Sequence, residues 1–193
     1  MSNNLEIKDL ITIGIFSVIY IFIIFVVGML GTIPILFLFY PAFIALVAGI
    51  VIMLFMAKVP KKWALFILAT IPAILFVIFG HTYFLLIHAI LFNLIAEFIF
   101  RKGEFKSFKH NAIAYAFMSL SGLGGPMQML FVRDKYFEIL SQAASEEYIL
   151  LVERLITYPN MLIMYLLTFV AAIAGAFIGK KILKKHFVKA GII

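Results

Sequence analysis

Residues 10–30 read LITIGIFSVIYIFIIFVVGML, a run that carries no charge at all. As a helix rising 1.5 Å per residue it extends about 31 Å, enough to cross the roughly 30 Å hydrocarbon core of a bilayer. Comparable apolar runs fill most of the remaining chain, and the polar gaps between them alternate in charge. One set of gaps holds Lys8; Lys58, Lys61 and Lys62; Arg101, Lys102, Lys106 and Lys109; and Lys180, Lys181, Lys184, Lys185 and Lys189. The other set is a break at Gly31–Pro34, a break at Gly80–Thr82, and the stretch from Arg133 to Tyr158. That last stretch sets Arg133, Lys135 and Arg154 against Asp134, Glu138, Glu146, Glu147 and Glu153. Basic residues flanking membrane spans stay in the cytoplasm, so the alternation predicts six crossings with both termini inside.

Composition leads to the same class independently. The 193 residues are 65% hydrophobic and 13% charged, with a mean hydropathy of +1.17. Too little polar surface exists to cover a water-soluble globule, so lipid is the expected solvent. The net charge of +7 gathers in the cytoplasmic gaps and reads as topology plus attraction to anionic lipid; no nucleic-acid partner is expected. With no cysteine in the chain, disulfides, thiolate chemistry and cysteine-based metal sites are excluded. The first apolar run is too long for a cleaved signal and lacks a small-residue cleavage site.

The expected fold is an all-α integral membrane protein, one six-helix domain over residues 1–193. Its spans fall at about residues 10–30, 34–57, 63–79, 83–100, 111–132 and 159–179. Pro41 falls inside the second span, where neighbours must satisfy the backbone groups it frees. Trp63 fits an interfacial anchor. In the fifth span, Gly122-Leu123-Gly124-Gly125-Pro126 predicts local unwinding. Residues 133–158 place Tyr136, Phe137, Leu140, Ala143, Ala144, Ile149, Leu150, Val152 and Leu155 at helical spacing. They predict an amphipathic helix or helix pair lying over the outer face. A basic cytoplasmic tail, 180–193, ends the chain.

Chemistry has few places to reside. His81 and His88 lie seven residues apart, which on a helix puts them on one face with Leu85 between. Polar groups at membrane depth point to function, and at least one of the pair is a candidate ligand contact. The alternative places His81 in the interface and His88 in an interhelical hydrogen bond. A metal site lacks a third ligand at suitable spacing. Asn93 and Glu97 lie deeper, and Glu97 stands four residues from Arg101, the spacing of a helical ion pair. Backbone exposed at Gly122–Pro126 would offer ligand groups; the alternative is a kink that lets helices pack closely. Gln128, Arg133 and Asp134 follow that break, and Tyr158 and Asn160 open the last span beside Pro159. Gly175-Ala-Phe-Ile-Gly179-Lys180-Lys181 has one residue too few between its glycines for a phosphate loop, and lacks the Ser or Thr after the lysine. No nucleophile elbow or His-Glu-x-x-His pair occurs. No enzymatic activity is expected.

Four stretches carry a family likeness. They are Lys8-Asp9-Leu10-Ile11-Thr12-Ile13-Gly14-Ile15-Phe16, Gly28-Met29-Leu30-Gly31-Thr32-Ile33-Pro34, Arg133-Asp134-Lys135-Tyr136-Phe137, and Lys184-Lys185-His186-Phe187-Val188-Lys189-Ala190-Gly191-Ile192. Together they resemble the Trep_Strep (MptD-type) family, classed among the substrate-binding S components of energy-coupling factor (ECF) transporters. The resemblance implies a multi-pass protein of the bacterial plasma membrane that captures a vitamin or related micronutrient from outside. Such a protein joins a membrane-embedded T component and two cytoplasmic ATPases, and needs no cofactor of its own. The family's T-contacting pattern, Ala-x-x-x-Ala on the first helix, falls here on Gly14 and Val18, with Ser17 completing the patch; the second small residue is lost. The implied pocket lies toward the outside and points to His81, Tyr83, His88, Ser121, Gln128, Arg133 and Asn160, with the Gly28–Pro34 turn as a lid. Aromatic side chains and neutral donors there suit a pyridine or pyrimidine ring.

Three other classes compete, of which a membrane hydrolase is made improbable by its missing motifs. An autonomous small transporter or channel needs a membrane-embedded acid to couple an ion, and Glu97 is the one candidate, close to the cytoplasmic edge. A membrane scaffold without a ligand predicts that changing His88 or Asn160 alters stability alone.

Overall fold

The computed structural model describes residues 4–142 and 144–187, with the side chains of His186 and Phe187 left out. Helix is the only regular structure among them. In chain order the α-helices are α1 (Ile7–Gly28), α2 (Tyr40–Lys58), α3 (Ala64–Ile78), α4 (Tyr83–Lys102), α5 (Phe108–Leu120), α6 (Gly124–Phe131), α7 (Arg133–Leu140), α8 (Glu146–Leu155) and α9 (Tyr158–Ile182). Among the described residues, four helical stretches are long and apolar enough to cross a membrane: Ile7–Thr32, Tyr40–Lys58, Tyr83–Lys102 and Tyr158–Lys185. α3, equally apolar, has only 15 residues, about 22 Å.

The bundle is centred on the crossing of α2 with α9. A methyl group on Gly49 would lie 2.4 Å from the carbonyl carbon of Gly175, and one on Gly179 would lie 2.8 Å from the carbonyl oxygen of Gly49. The two backbones therefore touch. Gly175-x-x-x-Gly179 is the small-residue spacing that allows such contact in lipid, where tight packing drives helix association. The stretch rejected as a phosphate loop thus serves as a packing surface. Ala45, Ala48, Ala172 and Ala176 continue the seam, and the Tyr115 hydroxyl donates to the Ala45 carbonyl at 2.5 Å.

At the basic end, one buried acid organises three elements. Glu97, on α4 and 2% exposed, accepts from the Trp63 amide at 2.6 Å, the Phe66 amide at 3.2 Å and Arg101 Nε at 2.7 Å. The expected Glu97–Arg101 pair forms, and the same carboxylate also covers the free amides at the start of α3, where a negative charge is favoured. Trp63 has a left-handed backbone, φ 70°, costly for a residue with a Cβ. Its amide bond to Glu97 and the Arg101 guanidinium, 4.0 Å over its ring, hold it there. Nearby, Lys61 bonds both Glu6 at 2.8 Å and Asp9 at 2.7 Å, tying the start of α1 to the α2–α3 turn. With Lys8, it holds the Glu6 carboxyl down at about 2.

Several boundaries differ from the sequence reading. The second long helix starts at Tyr40, because Met29–Thr32 and Pro34–Leu38 form two 3-10 turns first. Pro41 therefore lies in the opening turn of α2, where no amide is needed and nothing has to be rescued. The Gly122–Pro126 stretch does not unwind; Ser121–Leu123 tightens into a 3-10 turn and the backbone stays right-handed from α5 into α6. α5 begins at Phe108, earlier than residue 111. The 133–158 stretch is a helix pair, α7 and α8, with Ala143 between them outside the described residues. The tail continues α9 into a π-helical turn, Leu183–Phe187, and Lys189 and its neighbours lie outside the described residues.

Candidate functional site

A cavity of about 170 Å³ opens among α1, α2, α3, the α3–α4 turn, the α5–α6 junction and α7. It lies at the end of the bundle opposite Lys58, Arg101 and Lys180. Its walls are mostly apolar, from Pro72, Ala73, Phe76, Leu85, Ala89 and Pro126, among others. The polar groups on them are Tyr20, Tyr40, His81, Ser119, Ser121 and Tyr136. An apolar space of about 150 Å³ accepts benzene, so this one has the scale of a single ring. Gly122 borders the space, and a methyl group on it would meet nothing within 4 Å.

Of the seven residues expected to line a pocket, His81 and Ser121 do so. His81 stands edge-on to Phe76, with ring centroids 5.2 Å apart, and its Nδ1 is buried without a protein partner. Burial lowers its pKa below the ordinary 6.5, so the ring is neutral at pH 7. His88 points elsewhere. Its Nδ1 lies 3.3 Å from the Ser121 carbonyl, and its Nε2 lies 2.5 Å from the Tyr165 hydroxyl. A carbonyl only accepts, so Nδ1 carries the proton and Nε2 accepts from Tyr165. His88 is an interhelical connector, and Gly124 makes room for it, since a methyl group there would fall 3.1 Å from the ring. The two histidines part company because α4 begins at Tyr83. His81 belongs to the preceding turn, so helical periodicity does not relate it to His88.

The remaining candidates have other surroundings. Tyr83 is 74% exposed on the outer surface of α4. Gln128 is fully buried and bonded at both ends of its amide: its Oε1 accepts from the Thr82 amide and hydroxyl, and its Nε2 donates to the Gly125 carbonyl. It fixes the α3–α4 turn to α6. Arg133 pairs with Glu153 and lies 5.4 Å over the Phe137 ring. Asn160 donates through Nδ2 to the Leu155 carbonyl at 2.7 Å, closing the end of α8, while Thr157 accepts from its amide. Tyr158 is 70% exposed. On α1, Gly14 and Val18 face outward in a stripe with Ile7, Ile11, Ile15 and Phe22; Ser17 is turned inward, 2% exposed.

A cover lies over this end. The Tyr148 hydroxyl of α8 donates to the Gly31 carbonyl at 2.6 Å, fastening the α7–α8 pair to the turn that follows α1. Phe37 from that turn, Val152 from α8 and Met129 from α6 share one buried cluster.

Sequence reading passed over Tyr20, Tyr40 and Tyr136. A signal for the first was present, since Tyr20 is an isolated phenol deep in an otherwise apolar run. The other two looked like ordinary aromatic residues until the fold gathered them.

The model of a family described as a hypothetical bacterial integral membrane protein (Trep_Strep) matches residues 7–189, nearly the whole chain. The chain belongs to the Trep_Strep family. No curated protein and no solved structure matches it. Membership in Trep_Strep makes this a bacterial integral membrane protein, in accord with its long apolar helices.

Proposed function

We propose that this Trep_Strep protein is the substrate-capture component of an ECF-type importer. It crosses the plasma membrane six times with both termini in the cytoplasm. It takes a small, water-soluble, vitamin-like compound from outside and delivers it through a T component powered by two ATPases. The cavity carries this reading: a recessed, largely apolar space with a few polar groups, near the end remote from the basic residues, is the form of a small-molecule site. Two segments supply the fifth and sixth crossings beyond the four long helices. They are α3 and the unbroken helical stack of α5, its 3-10 turn and α6. Glu97 argues against an autonomous ion-coupled carrier, because three donors already occupy its carboxylate.

The outward stripe of α1 is the surface offered to the T component. Gly14 is its shallowest point, and a methyl group there would meet nothing within 4 Å. Gly14→Leu therefore leaves the fold intact and weakens assembly. Co-expression with the T component and ATPases, followed by purification through a tag on this chain, tests it. The wild type should bring down the whole complex and the variant several-fold less. A wild type that recovers no T component would refute the S-component role.

A further inference from the structure

The interior tyrosines fall into two groups. Tyr115, Tyr148 and Tyr165 each engage the protein through the hydroxyl, with the Ala45 carbonyl, the Gly31 carbonyl and His88 respectively. Tyr20 from α1, Tyr40 from α2 and Tyr136 from α7 do not: among the described residues, none of these three hydroxyls has a hydrogen-bond partner, and all three residues border the one cavity. None of the three hydroxyls is sealed inside the protein, and Tyr40 and Tyr136 are only half-buried, so each is free to donate to and accept from whatever occupies the space. Three hydroxyls free to bond around the same space suit it to a polar guest. Their rings, with Phe37 and Phe76, also present flat apolar faces to it.

Charge is missing from these walls. Among the described residues, no Lys, Arg, Asp or Glu lines the cavity. The two cations nearest in sequence to Tyr136 are engaged outside it, Arg133 by Glu153 and Lys135 by Glu138. A carboxylate or phosphate would enter without a partner, the costliest kind of burial. The lining suits a guest that is flat, of one ring, polar at its rim and neutral.

We infer that, given the capture role proposed above, the compound taken up is an uncharged single-ring heterocycle held through the hydroxyls of Tyr20, Tyr40 and Tyr136, and that the site rejects analogues bearing a carboxylate or phosphate. The three tyrosines act as specificity determinants, each contributing one hydrogen bond to the rim of the ring.

The test is mass spectrometry of small molecules released by denaturation from the detergent-purified full-length chain. It is run beside thermal melts with two matched pairs, nicotinamide with nicotinate and uracil with orotate. The same protocol is applied to Tyr20→Phe, Tyr40→Phe and Tyr136→Phe. The expected result is a neutral single-ring compound on the wild type, or a melting shift from a neutral member and none from its acidic counterpart. Each Phe variant should retain about three- to tenfold less compound, the range for one neutral hydrogen bond. Melting of the ligand-free variants should stay at the wild-type value, because the hydroxyls bond to nothing in the protein. A released carboxylate or phosphate ester, or full retention by all three variants, overturns the assignment and leaves capture standing. A wild type that is empty and unmoved by all four probes overturns both.

Discussion

Glu97 shows how one side chain can be misjudged by its address. A buried acid in a membrane protein invites a catalytic or coupling role, yet this one joins α4 to the start of α3 and to Arg101. Removing it leaves two amides and a guanidinium without their acceptor. Glu97→Ala should therefore destabilise the protein by about 3–5 kcal/mol, the range for breaking a buried charge pair, and lower the melting temperature in detergent accordingly. A melt unchanged from wild type would show the knot to be dispensable. His81 offers a pH test. Burial holds its pKa below 6.5, so as pH falls the unfolded chain binds the proton first. Stability contributed by the neutral ring is complete above 6.5 and declines as pH drops below that value. Melts taken from about pH 8 to about pH 5 should show a decline that His81→Gln reduces. The spacing of Glu97 and Arg101 was readable, as both lie on one regular helix. The separation of His81 from His88 was not, because it turns on where α4 begins.

Among the elements, the α2–α9 crossing is the least forgiving. At Gly49 an added methyl group meets backbone, which cannot swing aside as a side chain can. Gly49→Ala should cost about 1–3 kcal/mol, as overpacking does, and be read as a lower melting temperature. Gly14→Ala, facing open space, serves as the harmless control, and equal melts for the two would contradict the close approach. The helices themselves were legible from apolar runs and charged gaps. Their ends were less so: Pro34 opens a 3-10 turn and Pro41 the first turn of α2, and a proline suits either place equally well. The glycine break at 122–126 misled for a related reason. Glycine permits unwinding without requiring it, and packing against His88 favoured the compact turn.

For the molecule as a whole, orientation is the property most open to direct test. The chain contains no cysteine, so single cysteines can be placed without background. An impermeant maleimide should label Glu138→Cys in intact cells and Lys106→Cys only after permeabilisation; the reverse pattern would invert the topology. The class of the protein was written in its composition, whereas the cavity was not. Tyr20 and Tyr40 lie on consecutive helices and Tyr136 on the distant α7, and no local pattern brings them together before the bundle closes. One last consequence follows from the short α3. At about 22 Å it falls well below the roughly 30 Å of an ordinary hydrocarbon core, and its residues Ile74 and Ile78 face outward. On the six-crossing topology proposed above, the lipids beside it must compress, or the Trp63 and Gly80 turns must be drawn inward. Membrane thickness is thereby coupled to this flank of the protein, and acyl-chain length becomes a variable to which the bundle responds.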